Sequence, residues 1–251
     1  MQGVPVTDRG FRYGMSVFES FPIRNGVPLF LSQHLSRLRA ACAATGLTAP
    51  PDALAQCEPL LRQTGDGFAR VYVTAGDGSV TDDCHSPRVL VFVEARDPIP
   101  ASVYHRGYDL GFHATTHTPT FPGLKTGNYW PNLNALRAGV TAHHHETLLF
   151  TPAGHLVSAS MANIFVIIAG RIQTPDLSTG ARPGVVREWV MRRADVTETL
   201  LTRAAVESAD ELFLTNSWFG IMPAASLESR PLRRIVGPGL LEAYRKEIET
   251  P

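Results

Sequence analysis

The chain has 251 residues, enough for one large domain or two modest ones, and its hydrophobic and charged fractions, 44% and 18%, are those of an ordinary globular protein. Its 23 basic residues balance 23 acidic ones, which leaves no charge excess to draw nucleic acid or an anionic membrane surface. No run of about 18 apolar residues occurs, and the opening MQGVPVTDRG lacks the basic and hydrophobic stretches of a signal peptide, so a cytoplasmic location is the expectation.

In chain order, VTDRGFRYG reads as a loop, SVFESFPI as a strand, Arg24-Asn25-Gly26 as a turn and VPLFL as a short second strand. A helix follows from Gln33 to Thr45, closed by Gly46, and another from Asp52 to Gln63. The runs ARVYVTAG, PRVLVFVEA and YDLGFHATT add strands and complete a small α/β domain over residues 1–117. Two prolines among small polar residues make Thr118–Pro122 the linker, and residues 123–251 form a larger domain. There ETLLFTPAGHLVSASMANIFVIIAGRIQTP reads as successive strands, turned at Pro152-Ala153-Gly154 and Ala169-Gly170. Helices from Gly184 to Arg193 and from Glu198 to Ser208, a strand ELFLTNS and a terminal helix complete the chain.

Cys42, Cys57 and Cys84 lack the paired spacing of a zinc site or disulfide framework and are expected to be reduced and structural. His143-His144-His145 point in different directions along the chain and read as a polar helix end, so no metal site is expected. Only two of the basic residues are lysines. Lys246 sits among charges opposite the Leu240, Leu241, Tyr244 and Ile248 stripe of the last helix, a solvated position. Lys125 instead lies between Gly123 and Gly127, where solubility gives no reason for it. A desolvated lysine amine, or one near another cation, can form a Schiff base; an interdomain lysine paired with a carboxylate is the plainer alternative. In Arg182-Pro183-Gly184-Val185-Val186-Arg187, Pro183 and Gly184 open a helix, so the amides of Val185 and Val186 can face an anion or simply begin an ordinary helix.

The segments DRGFRYGMSVFES, HLSRLRAACAATGL, LKTGNY, SMANIF, IQTPDLSTGARPGVVR and ADELFLTNSWFGIMPA, in this order and spacing, together resemble the class IV aminotransferases. These fold type IV enzymes, dependent on pyridoxal phosphate (PLP), include branched-chain and D-amino acid aminotransferases and aminodeoxychorismate lyases. The resemblance implies a two-domain α/β (α+β) fold whose larger domain has a β-barrel-like core, PLP in the cleft between the domains, a small amine or amino acid substrate, and a homodimer. It makes Lys125 the Schiff-base lysine and proton shuttle. It also makes Val185 and Val186 the phosphate-binding pair, Asn216 and Ser217 the rest of the phosphate cup, and Arg37 the phosphate's cationic partner. Tyr13, Phe18, Ser20 and Tyr129 fall on the substrate side; Ser20 matches a hydroxyl that assists proton transfer, and Phe18 also suits core packing. Glu19 is expected to orient neighbouring loop groups.

The chain departs from the family at Ser158, five residues before Asn163, where relatives carry a glutamate that keeps the cofactor's pyridine nitrogen protonated. A serine can hydrogen-bond that nitrogen but is too weak an acid to keep it charged. Eliminations driven by aromatisation need less electron withdrawal by the ring than transamination, so the departure points to an aminodeoxychorismate-lyase-like activity. The spacing of Lys125 and Asn128 and the short N-terminus lean the same way. An amino acid aminotransferase of branched-chain or D-amino acid type, and a PLP-binding protein without catalysis, are the alternatives. Glu146 or a water could stand in for the missing carboxylate.

Overall fold

The computed structural model describes residues 3–48, 61, 66–84 and 86–249. Two compact units emerge, one of Met1–Pro98 with Leu124–Tyr129 and one of Ile99–Gly123 with Trp130–Pro251.

In the first unit, β1 (Ser16–Arg24), β2 (Val27–Pro28), β3 (Gly67–Thr74) and β4 (Arg88–Glu94) form an antiparallel sheet in the order β2-β1-β3-β4. Strand alternation divides its residues between two faces. Val17, Phe21, Ile23, Ala69, Val71 and Val73 pack with Leu35, Leu38 and Cys42 of α2 (Leu31–Ala44) into one apolar core. The opposite face carries Phe18, Ser20, Arg70 and Tyr72, with Phe18 opposite Tyr72 and Ser20 opposite Arg70. Asn25 and Gly26 adopt φ of 51° and 74°, the left-handed pair that a tight hairpin turn requires. The strand expected in VPLFL stops at Pro28, because Phe30 turns left-handed at φ 52° and α2 starts at Leu31, two residues before Gln33. The helix expected from Asp52 to Gln63 lies outside the described residues except for Leu61, which is helical and buried; Cys57 lies outside them too.

The DRG stretch is not a loop but a short helix, α1 (Arg9–Tyr13), whose first turn is capped by the Asp8 carboxylate accepting from Gly10 N–H at 2.7 Å. Arg9 is 1% exposed and acts as a spool. Its guanidinium donates to the carbonyls of Ala75 at 2.7 Å, Asp82 at 2.6 Å, Ser79 at 3.2 Å, Asp83 at 3.3 Å and Gly76 at 3.4 Å. Buried Asp8 meanwhile accepts from Thr74 Oγ1 at 2.8 Å and Arg88 Nη1 at 2.6 Å.

The second unit is a nine-stranded sheet of β5 (Tyr108–Phe112), β6 (Glu146–Phe150), β7 (Leu156–Ala159), β8 (Asn163–Ile168), β9 (Arg171–Pro175), β10 (Val196–Thr199), β11 (Glu211–Asn216), β12 (Gly220–Leu227) and β13 (Arg230–Pro231). Its order is β10-β9-β8-β11-β12-β5-β6-β7, with β13 on β12, and the strands curl into the barrel-like core expected. Leu110, Leu148, Ile164, Leu212 and Met222 are among the core residues. The unit's helices are α3 (Ala101–Arg106), α4 (Trp130–Thr141), α5 (Val185–Arg193), α6 (Arg203–Glu207) and α7 (Val236–Glu249). None among the described residues is long and apolar enough to cross a membrane.

Three expectations change. The YDLGFHATT strand pairs with β12 and β6, so the units divide near Pro98 rather than at His117. The expected linker, Thr118–Pro122, accordingly lies inside the second unit. The helix expected from Glu198 begins only at Arg203, after a Thr202 cap, because Val196–Thr199 is drawn into parallel pairing with β9. Replacing Arg9 by Ala is expected to cost about 2–4 kcal/mol by leaving loop carbonyls without their charged donor; an unfolding midpoint in urea equal to wild type would refute this role.

Candidate active site

Lys125 is seated by backbone pairing onto β1. Phe18 N–H donates to the Lys125 carbonyl at 2.9 Å and Gly127 N–H to the Ser16 carbonyl at 2.9 Å. Two glycines are steric requirements of this approach: a Cβ on Gly127 would strike Ser16 Oγ, and one on Gly14, at φ 70°, would strike Asn128 Oδ1. This pairing assigns the lysine segment to the first unit, whereas its place after the Pro-rich stretch suggested the second. The amine then lies 4.1 Å from the Phe18 ring centroid and 4.7 Å from that of Tyr129, and it donates to the Tyr129 hydroxyl at 3.1 Å. Phe18 stacks on Tyr72 at 4.7 Å and Tyr72 on Phe92 at 6.0 Å, so an aromatic column continues along this sheet face. Ser20 is one same-face position beyond Phe18 on β1, and Arg70 is its cross-strand neighbour.

Glu19 points to the opposite face, where its apolar neighbours predict core. It is 1% exposed and binds two residues of α2. Arg37 donates from Nε to Oε1 and from Nη2 to Oε2, both at 2.7 Å, while His34 Nδ1 lies 2.8 Å from Oε2. Burial by itself would raise the Glu19 carboxyl, but the hydrogen bond from His34 and the charge and hydrogen bonds of Arg37 hold it at about 2. Burial also lowers His34, against the pull of Glu19, so the ring is neutral and its Nδ1–H donates. Glu19 thus fixes Arg37 in a forked, oriented geometry rather than orienting loops.

In the second unit, α5 begins with Gly184 as a cap without a side-chain hydrogen bond, leaving the first amides, Val185 and Val186, without an intrahelical partner. Asn163 sets this terminus in place: its Nδ2 donates to the Arg182 carbonyl at 2.8 Å, and its Oδ1 occupies the space that a Cβ on Gly184 would take. Asn216 shapes the turn after β11. Its Oδ1 accepts from Trp218 and Phe219 N–H, each at 2.9 Å, and its Nδ2 donates to Met161 O at 3.2 Å. The Asn216 amide is therefore engaged in building the turn that carries Ser217. Thr215 Oγ1, next to it, is buried without a hydrogen-bond partner among the described residues. Ser158 is half-buried on β7 opposite Leu149, and Glu146 is 3% exposed at the start of β6.

The structure thus gathers Lys125, Tyr129, Phe18 and Ser20 on one face of the small sheet, and Val185, Val186 and the 216–219 turn within the second unit. Tyr13, expected on the substrate side, ends α1, is 43% exposed and carries Arg12 4.9 Å over its ring. His145 stacks on Tyr108 at 4.8 Å, and no metal-binding cluster occurs among the described residues. Sequence reasoning passed over His34 and Arg70, although an acid in the apolar register of β1 and an arginine in the register of Ser20 were legible from strand alternation.

The Glu19 carboxylate has a folded value below its ordinary 4.5, so its stabilising effect is present above pH 4.5 and is lost as pH falls toward 2. Glu19→Gln is expected to cost about 3 kcal/mol at neutral pH by stripping buried His34 and Arg37 of their anion. In denaturant titrations the gap to wild type should narrow below pH 4.5; a gap that ignores pH would contradict the ion pair.

The model of the "Amino-transferase class IV" family matches residues 16–227. The aminodeoxychorismate lyase of Bacillus subtilis (strain 168) is 29% identical over 260 aligned positions, covering 96% of this chain and 88% of that protein. The crystal structure of 4-amino-4-deoxychorismate lyase from Pseudomonas aeruginosa superposes with a TM-score of 0.90 at 28% identity, covering 98% of this chain and 96% of that one. An aminotransferase from Brucella abortus, bound to the co-factor PLP, shares the fold with a TM-score of 0.87 at 20% identity, covering 98% of this chain and 93% of its own. The chain belongs to the class IV aminotransferase family.

Proposed function

We propose that the chain is a PLP-dependent lyase that releases pyruvate from aminodeoxychorismate and leaves 4-aminobenzoate. The observation that carries the PLP reading is the Lys125 amine, seated on β1 between Phe18 and Tyr129. The second unit fits the cofactor's phosphate, with an uncapped α5 terminus, a glycine cradle held by Asn163, and beside the Ser217 turn the buried Thr215 hydroxyl, which has no partner among the described residues. When bound, PLP supplies an aldehyde that condenses with amines and a ring that withdraws electrons from the adjacent carbon.

Each side chain then has a task. Lys125 would hold the aldehyde through its amine and serve as the base that takes up the ring proton. The Tyr129 hydroxyl orients that amine. Ser20 is the proton donor to the departing pyruvate, and Arg70 holds a substrate carboxylate. Val185, Val186 and Ser217 of the second unit answer the phosphate charge, and Arg37 of the first unit offers an anion a guanidinium oriented by Glu19. The reaction balances without water or oxidant: one carbon–oxygen bond breaks, the ring gives up a proton and becomes aromatic, and pyruvate gains one. Ser158 would offer the cofactor's pyridine nitrogen a neutral hydroxyl in place of a carboxylate, which elimination tolerates better than amino transfer does. Likeness to the two lyases over nearly the whole chain supports this choice. The same reading places the enzyme in the cytoplasm as a homodimer, with exposed Phe11 and Trp130 offering apolar surface to a second copy.

Incubation with aminodeoxychorismate is expected to yield 4-aminobenzoate and pyruvate in equal amounts. Ser20→Ala should lower kcat about 100-fold while PLP stays bound. Glutamate formation from an amino acid and 2-oxoglutarate, with no 4-aminobenzoate, would overturn the lyase assignment in favour of an aminotransferase.

A further inference from the structure

Glu146 is a buried carboxyl that the proposed chemistry leaves unused. Its Oε2 accepts from the Ser160 hydroxyl and from Met161 N–H, the latter at 3.2 Å. Those groups belong to the turn joining β7 to β8, and the turn is tied in two further directions. The Ser160 carbonyl accepts from Asn132 Nδ2 of α4 at 2.8 Å, and the Met161 carbonyl accepts from Asn216 Nδ2 at 3.2 Å. Asn216 in turn gathers the amides of Trp218 and Phe219. An unbroken chain of bonds therefore runs from Glu146 through Met161 and Asn216 to the turn that carries Ser217.

We propose that Glu146 is a positioning residue for the PLP phosphate: its carboxylate form holds the 160–162 turn and, through Met161 and Asn216, sets the 216–219 turn that presents Ser217. This rests on the PLP reading above. The carboxylate matters because hydrogen bonds to an ionised acceptor are about twice as strong as neutral ones. No basic side chain among the described residues pairs with Glu146, and burial pushes it up to about 7 against the pull of its hydrogen bonds. Its surroundings explain why. Tyr108 on β5 is itself raised by burial and then by the Glu146 charge; His145 stacks on Tyr108 and lies 3.5 Å from Asp109; Arg106 acts on Tyr108; and Arg137, the charged residue of α4, is exposed. The positioning bonds are thus at full strength only above neutrality.

The fold and the cofactor then want opposite states. A folded value above the ordinary 4.5 means that the contribution of Glu146 to stability is fully present below pH 4.5 and is lost as pH rises through about 7. PLP-free Glu146→Gln should therefore gain in Tm relative to wild type between pH 5 and pH 8, while binding PLP more weakly at pH 8. A residue with a merely structural role would lose on both counts.

The test titrates PLP, and pyridoxal as the phosphate-free control, onto wild type and Glu146→Gln at pH 6 and pH 8, read by visible absorbance. In wild type the Kd for PLP is expected to tighten about three- to tenfold from pH 6 to pH 8 beyond any change for pyridoxal, and Glu146→Gln should abolish that extra gain. Ser160→Ala keeps the carboxyl but deletes a bond that lowers its value, so it should move the step to higher pH. An unchanged PLP profile in Glu146→Gln, an equal loss for pyridoxal, or an unmoved step in Ser160→Ala overturns the proposal while leaving the PLP reading intact. Wild-type protein that takes up neither aldehyde overturns both.

Discussion

The pairing of the Lys125 segment with the start of β1 is the constraint on which the rest of the site depends. Two backbone hydrogen bonds, Phe18 N–H to Lys125 and Gly127 N–H to Ser16, convert a flexible loop lysine into an amine with a fixed address. Gly14 and Gly127 permit the approach, since a side chain at either would meet Asn128 or Ser16. Strand alternation does the remainder: because Phe18 faces the lysine, Ser20 shares its face, while Glu19 turns into the opposite core. One register therefore assigns both the face that Lys125 shares with Phe18 and Ser20 and the buried anion that orients Arg37.

In the second unit the proposed phosphate site poses another problem, that of holding an anion with little side-chain charge. The α5 amides are left without a cap, and Asn163 holds the preceding residues through the Arg182 carbonyl. Gly184 is needed because Asn163 Oδ1 fills the volume of a Cβ. The asparagine of the NIF strand and the glycine of the RPG turn, 21 residues apart in sequence, are thus two halves of one packing requirement. Asn216 plays the corresponding part for its own turn, and buried Glu146 connects that turn to the 160–162 turn through Met161.

Much of this was legible in the sequence because it is local. The hairpin at Asn25-Gly26, the helix after Gly184 and the alternating apolar residues of β1 and β3 follow from short-range rules. Lys125 stood out because lysine is so scarce in the chain. What escaped depends on long-range pairing. Val196–Thr199 is a strand only because β9 accepts it, and Tyr108–Phe112 leaves the small domain only because β12 and β6 flank it. Arg9 read as part of a loop because its partners lie more than sixty residues away.

The central claim is that Lys125 carries the reactive amine. Incubation with PLP should give a visible absorbance band that borohydride bleaches, and digestion should then locate the reduced adduct on the peptide containing LKTGNY. A protein that stays colourless, or an adduct on Lys246 of the terminal helix, would contradict the account.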